Sequence, residues 1–439
     1  MQKITKFFVR LVQNILPDAY ILAVLLTFVV FGAGVVVMGK SPFDMISLWG
    51  NGYPSLFVFA MQMVLVLLTG YVLALTPVME KVVDKLVAIP KTPKSAMGLT
   101  AIVGLVSCYF NWGFGMVIGA IVAKAMGRKI KGIHFPLLVA ASYGGELVRG
   151  PSSSIPLVSA TPGNFMTELG IDIVPVTETL YSPWNIILTI LIAAALFTYY
   201  CTVKAPDDEI IEYKEPLEEA VIAKKEKSAM TFAERLENTY ILNILIALFP
   251  LTYLVVNFNK LGFNLNLNLV ILIFMTLGLL FHSTPMQYLQ AVARAITATK
   301  GIIVQFPLYA GISSMMVGSG MVESLSLWFV NIATPTTFPM ITFLAAGLVN
   351  IFVPSGGGQW AIQGPVMLKA ASAMGASIPQ TVMAFAWGDG WTNQIQPFWA
   401  LPLLGVVGLS ARDIMGYCVI WTIVSGIIIC GVFTVLTFI

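Results

Sequence analysis

The residues of this chain that could do chemistry gather where glycine and proline interrupt apolar stretches. Four such places stand out. The first is Asn111-Trp112-Gly113-Phe114-Gly115, and the second is Gly144-Gly145 followed by Gly150-Pro151-Ser152-Ser153-Ser154-Ile155-Pro156. The third is Pro354-Ser355-Gly356-Gly357-Gly358-Gln359, and the fourth runs from Gly388-Asp389-Gly390 through Thr392-Asn393-Gln394 to Gln396-Pro397. Glycine lets backbone approach a ligand, and proline removes an N–H and frees a carbonyl upstream. Helices broken this way offer N–H groups and a positive dipole end to an anion. The freed carbonyls, with Ser, Thr, Asn and Gln oxygens, suit a hard cation such as Na+. On this logic Asn111, Gly113, Gly115, Ser152, Ser153, Ser154, Ser355, Gly356, Gly357, Gly358, Gln359, Thr392, Asn393 and Gln394 are candidates to hold an anion. Asp389 and Gln396 are candidates to hold the cation. A carboxylate at mid-membrane costs at least about 2.5–3.5 kcal/mol. Asp389 therefore needs a partner, a proton, a cation or a structural hydrogen bond. Glu146 and Arg149 are three apart on one helical face, so they either neutralise each other or leave Arg149 to meet an anion's carboxylate.

Behind these breaks lies a repeat. Ser41-Pro42, Gln62 and Glu80 recur as Thr284-Pro285, Gln305 and Glu323, each offset by 243 residues. Asn111 before its Gly-rich stretch recurs as Asn350, offset by 239. Repeated hydrophobic segments broken at matching places point to a secondary transporter and its binding site. Packing kinks are the alternative for any one break, but four in matching positions favour a site. Gln62 and Gln305 sit at matching places, either bonding between helices or lining a cavity. Trp112, Trp360, Trp387, Trp391 and Trp399 flank the breaks and either pack or wall an apolar pocket.

Composition sets the solvent. The chain of 439 residues is 58% hydrophobic and 10% charged, with mean hydropathy +0.87. A soluble domain carries about 25% charged residues, so this is a membrane protein. A net charge of +3 without basic–aromatic runs argues against nucleic acid. Cys108, Cys201, Cys418 and Cys430 lack metal-ligand spacing and read as packing residues. His134 and His282 fall at span ends. No nucleophile–base pair, metal set or cofactor motif argues for an enzyme.

An α-helix needs about 20 residues to cross a bilayer. Nine segments approach this length, namely 19–38, 54–75, 135–160, 183–203, 238–257, 267–282, 301–321, 379–403 and 413–438. Residues 97–127 and 338–374 instead read as re-entrant hairpins, with arms of about 13 residues reaching about 20 Å. The expected fold is thus an all-α polytopic membrane protein with about nine spans and two hairpins. The run from Ala19 to Met38 is too long for a signal-peptide core of about 7–15 residues. Lys3, Lys6 and Arg10 put the N-terminus in the cytoplasm. The span count then puts the C-terminus outside and inverts one repeat relative to the other. The expected units are 1–203, a charged cytoplasmic linker at 204–237, and 238–439. Two amphipathic stretches, 77–90 and 320–333, suit helices along the interface.

Several motifs carry a family resemblance across nearly the whole chain. They are Asn111-Trp112-Gly113-Phe114-Gly115, Ser159-Ala160-Thr161-Pro162-Gly163-Asn164, Val353-Pro354-Ser355-Gly356-Gly357-Gly358, Gln363-Gly364-Pro365, Gln396-Pro397-Phe398-Trp399-Ala400-Leu401-Pro402 and Arg412-Asp413-Ile414-Met415-Gly416-Tyr417-Cys418. Together they resemble the bacterial short-chain fatty acid transporter family of the ion transporter superfamily. The resemblance implies an elevator-type fold, a homodimer, an inner-membrane location and uptake of acetoacetate, butyrate or a similar monocarboxylate with Na+ or H+. The superfamily's dicarboxylate carriers have Ser-Asn-Thr at the hairpin tips. The tips here differ, which argues against a dicarboxylate. A sodium-coupled dicarboxylate carrier, an exchanger, a channel and a structural membrane protein stand as the alternatives.

Overall fold

The computed structural model describes all residues except 1, 16, 149, 152, 162–163, 206–209, 215–229, 262–266 and 437–439. The described part is all-helical. The first half runs α1 (Gln2–Ile15), α2 (Ala19–Val36), α3 (Pro42–Gly52), α4 (Phe57–Ala74), α5 (Pro77–Val87), α6 (Pro93–Phe110), α7 (Trp112–Lys129), α8 (Phe135–Tyr143), α9 (Ser154–Ser159), α10 (Phe165–Glu168) and α11 (Pro183–Thr202). The second runs α12 (Phe232–Glu237), α13 (Tyr240–Leu261), α14 (Leu267–Phe281), α15 (Pro285–Ile296), α16 (Lys300–Gly318), α17 (Met321–Ile332), α18 (Phe338–Asn350), α19 (Gly356–Met374), α20 (Ile378–Asn393), α21 (Pro397–Val407) and α22 (Ala411–Leu436). The order from α3 to α9 is matched by the order from α15 to α21. The repeat is visible in the caps. Ser41 accepts from the Asp44 N–H to start α3, and Thr284 accepts from the Gln287 N–H to start α15. Each helix then has proline in its first turn, where the missing N–H costs nothing.

Six described helical stretches are long and apolar enough to span a membrane, at Ala19–Val36, Pro42–Ala74, Pro183–Thr202, Tyr240–Lys260, Pro285–Gly318 and Ala411–Leu436. Nine were expected. Two of the missing three, 135–160 and 379–403, are each split into two helices, and α14 has only 15 residues. Large apolar side chains on the outside, such as Phe28, Val58, Phe249 and Ile427, are what a hydrocarbon solvent permits. Around α13 most of the surface is of this kind.

The helices expected as hairpin arms differ from expectation in length. α6 and α7 have 18 residues each, or about 27 Å, rather than about 13. Helix continues past the apolar run at both ends. A Thr92–Ser95 capping box extends α6 backwards, and Arg128 and Lys129 suit the negative C-terminal end of α7. The second pair has arms of 13 and 19 residues, and α18 packs mainly on α20 rather than on α19.

Glycine sets those contacts. A Cβ at Gly388 in α20 would collide with the backbone carbonyl of Phe343 in α18. At Gly145 it would collide with the backbone of Leu105 in α6, and at Gly104 with that of Ser142. Gly388 and Gly145 are 243 apart, as are Gly347 and Gly104. The same packing device therefore occurs in both halves. Gly388→Ala is expected to cost about 1–3 kcal/mol by overpacking, read as a lower melting temperature in detergent. Gly431→Ala in α22, where nothing lies within 4 Å, should not lower it. Equal melting of the two variants would remove the packing argument.

Candidate functional site

Two broken helices meet at the centre of the molecule. In the first half α8 stops at Tyr143, a 3-10 turn covers Gly144–Leu147, and α9 starts at Ser154. In the second, α20 runs to Asn393 and α21 starts at Pro397. Proline lacks an N–H and fits the first position of α21, and Gln396 before it is extended. The expected unwinding at Gly388-Asp389-Gly390 does not occur, because these residues stay inside α20. Gly388 serves the close approach to α18 instead, and the break is confined to 394–396.

At the meeting point the buried Glu146 carboxylate, 2% exposed, is shared by the second half. Asn393 Nδ2 donates to Oε1 at 3.1 Å and Gln394 Nε2 donates to Oε2 at 3.2 Å. The Tyr143 hydroxyl donates to the Asn393 carbonyl. Asn350, at the end of α18, extends the network. Its Nδ2 lies 2.7 Å from the Asp389 carbonyl, 3.0 Å from Thr392 Oγ1 and 2.7 Å from Asn393 Oδ1. Gln396 Nε2 donates to the Ile351 carbonyl at 2.8 Å, tying the break to the end of α18. Three buried acceptors here, Asn350 Oδ1, Gln394 Oε1 and Gln396 Oε1, have no donor among the described residues. Amide oxygens such as these are the donor chemistry hard cations take.

A second cluster lies beside it. The Asp389 side chain, 7% exposed, stands at the start of α19. A Cβ on Gly356 would lie 3.0 Å from Asp389 Oδ2 and 3.2 Å from Ser154 Oγ. Helix α19 opens with Gly356, Gly357 and Gly358, and Ser355 caps it without a side-chain bond. These three glycines were expected in a non-helical tip. They form the first turn of α19, whose N–H groups lack intrahelical partners as at any helix start. Ser154 opens α9, so this cluster also joins the two halves.

Other candidates lie elsewhere or do other work. Asn111 accepts from the Phe114 N–H at 3.1 Å and caps α7. Gly113 is buried within α7, and Gly115 packs α7 against the backbone of Cys108. Ser153 precedes α9 without capping it through its side chain. Gln359 Nε2 donates to the Ala346 carbonyl and to Gln363 Oε1, joining α19 to α18. Thr392 donates to the Gly347 carbonyl. Arg149 and Ser152 lie outside the described residues. Gln62 bonds Asn268 on an outer face at 2.9 Å, whereas Gln305 is buried. Among the tryptophans, Trp112 and Trp399 share an aromatic cluster with Phe59, and Phe306 stacks on Phe398 beside it. Trp360, Trp387 and Trp391 pack in separate places, with Trp387 donating to Asn185 and Trp391 to the Thr422 carbonyl.

Glu146 and Asn350 were not among the candidates. The signal for Glu146 was in the spacing, since Glu146 and Asp389 are 243 apart and each follows a glycine. Two acids at equivalent places stand out in a chain this poor in charge. Glu146 reaches the second half at Asn393 and Gln394, and Asp389 and Ser154 both border Gly356.

Residues 1–436 match the short chain fatty acid transporter family. The chain belongs to that family. Two relatives carry the name "Putative short-chain fatty acid transporter". The one from Escherichia coli (strain K12) is 41% identical over 430 residues, covering 97% of this chain and 98% of the relative. The one from Haemophilus influenzae is 40% identical over 428 residues, covering 95% and 96%. Two solved structures are more distantly similar. The YdaH transporter of Alcanivorax borkumensis is 15% identical with a TM-score of 0.41, over 96% of this chain and 98% of that one. MtrF of Neisseria gonorrhoeae, described with a class of antimetabolite efflux pumps, is 13% identical with a TM-score of 0.39, over 98% and 97%. As a member of the short chain fatty acid transporter family, the protein is a multi-pass membrane transporter and not an enzyme.

Proposed function

We propose that the protein imports a small monocarboxylate, such as butyrate or acetoacetate, together with a cation by alternating access. The observation that carries this reading is the Asp389 side chain standing at the glycine-rich start of α19. A substrate carboxylate drawn to the N–H groups of Gly356, Gly357 and Gly358 meets a second carboxylate there. Two such charges repel, and a cation or proton bound at Asp389 relieves the repulsion. Cation and substrate then raise each other's affinity, as linkage requires. Ser154 and Ser355 supply hydroxyl donors to the anion. Asn350, Gln394 and Gln396 supply oxygens to a cation.

Matching element order in the two halves supports a repeat, which the span count and charge distribution make an inverted one, with α6–α7 and α18–α19 as opposed hairpins and 204–237 as the connector. Basic residues at the ends of α7 and α15 and at the start of α22 support a cytoplasmic N-terminus, an external C-terminus and an inner-membrane location. We assign the assembly as a homodimer on family resemblance. Purified protein in proteoliposomes should accumulate labelled butyrate or acetoacetate only under an inward Na+ or proton gradient. Saturable uptake with no dependence on either gradient would overturn the symport reading, and ionic conductance without counterflow would indicate a channel.

A further inference from the structure

A cavity of about 690 Å³ opens beside α21, away from the two clusters described above. It is lined by Asp18 before α2, Lys300 and Gln305 of α16, Leu401 and Leu404 of α21, and Arg412 of α22. Lys300 and Arg412 have no hydrogen-bond or ion-pair partner among the described residues, whereas Asp18 is engaged in capping α2 through the Tyr20 N–H. The inner wall is different in kind. Gln305 is 6% exposed, and its Oε1 is buried without a donor. Leu401 and Leu404 give the same cavity an apolar side. Cations at the rim, an amide inside and leucines between them match a small carboxylate with a short apolar tail.

The position of the cavity gives it a role. Helix α21 begins at the central break and ends at this cavity. Leu401 and Gly405 lie about 6 Å and about 12 Å along the helix from Pro397. Between them and the break, Phe398 stacks on Phe306 at 4.0 Å and Trp399 meets Trp112 at 5.1 Å. A second cleft, of about 480 Å³, lies on the other side of the end of α21 and carries Lys124, Arg128 and Lys129 with Glu80 and Asp84. Each cavity has one more basic than acidic residue in its lining, and what sets the Lys300–Arg412 cavity apart is the buried Gln305 amide on its inner wall.

We propose that this cavity is the cytoplasmic mouth of the transport path, a carboxylate-binding vestibule in which Lys300 and Arg412 hold the anion on its way out of the carrier and Gln305 contacts its head. The proposal rests on the carrier function above and assigns it a second, peripheral binding site. Lys300→Gln with Arg412→Gln should raise KM about tenfold at low salt for carboxylate presented from that face only. It should also flatten the salt dependence between about 0.01 M and 1 M choline chloride, where the screening length falls from about 30 Å to about 3 Å. Gln305→Leu should raise KM without changing the salt dependence. An unchanged KM from both faces in the double variant overturns the vestibule, while failure of the wild type to move any carboxylate counts against the carrier function instead. A readout independent of transport is thiol labelling of Lys300→Cys over the background of the native cysteines. An anionic methanethiosulfonate should react faster than a cationic one, butyrate should slow it, and Arg412→Gln should remove the preference. Equal labelling rates with no butyrate effect overturn the proposal even in an inactive preparation.

Discussion

Asp389→Asn is expected to give a folded protein whose carboxylate binding no longer depends on the cation. The substitution keeps size and shape, so the packing of the side chain beside Gly356 is preserved. What it removes is the charge that a substrate carboxylate would oppose. Two unit charges 4 Å apart interact with about 4 kcal/mol at an effective dielectric of 20. Couplings between sites usually amount to about 1–3 kcal/mol, or about 5- to 150-fold in affinity. Wild-type protein should therefore bind butyrate at least about fivefold more tightly with saturating coupling cation. In Asp389→Asn that ratio should approach one, and a cation gradient should no longer drive accumulation. Binding by calorimetry with and without Na+ at two pH values, alongside uptake, measures both. An unchanged ratio in the variant would sink the coupling role of Asp389. A variant that elutes as aggregate would instead show that the carboxylate serves mainly to stabilise the start of α19.

Removal of Glu146 should have the larger effect on the fold. Its carboxylate accepts from Asn393 and Gln394 across the repeat in a site 2% exposed. Glu146→Ala leaves both amide donors buried without that acceptor, at about 1–3 kcal/mol each. Against a total stability of about 5–15 kcal/mol, a loss of about 2–6 kcal/mol is enough to lower the yield of folded protein. Glu146→Gln keeps the shape and one oxygen acceptor but sets an NH2 group against an NH2 donor. It should fold with a smaller loss of melting temperature and still transport poorly, because the two breaks are held in register through this residue. The decisive comparison is melting temperature against uptake for Ala, Gln and Asp at this position. Wild-type melting and uptake in Glu146→Ala would refute the idea that Glu146 joins the halves.

How far the sequence was legible depends on whether a feature was local. Pro397 had to stop a helix before it, and Ser41 and Thr284 had to start helices after them, because those constraints act within one turn. The spacing of 243 anticipated the matched order of elements. The expected unwinding at Gly388-Asp389-Gly390 failed for a non-local reason. Glycine permits both a break and a close helix contact, and Phe343 in α18 decides between them. Helices α6 and α7, expected as hairpin arms, are longer than expected because polar and charged residues continue a helix whose ends are well capped.

The site divides in the same way. By itself the sequence determined a membrane solvent, the break before Pro397, and through its motifs the family. It also placed Asp389, Ser154 and the three glycines among the candidates. Only the tertiary structure decided which of these meet. It turned Asn111 into a helix cap, set Asp389 against Gly356 and Ser154, and brought Glu146 to Asn393, 247 residues away. A break is written by one proline or a few glycines acting on their own backbone. The partner of a buried carboxylate is chosen by packing, since a charge taken out of water must find its donors wherever the fold delivers them.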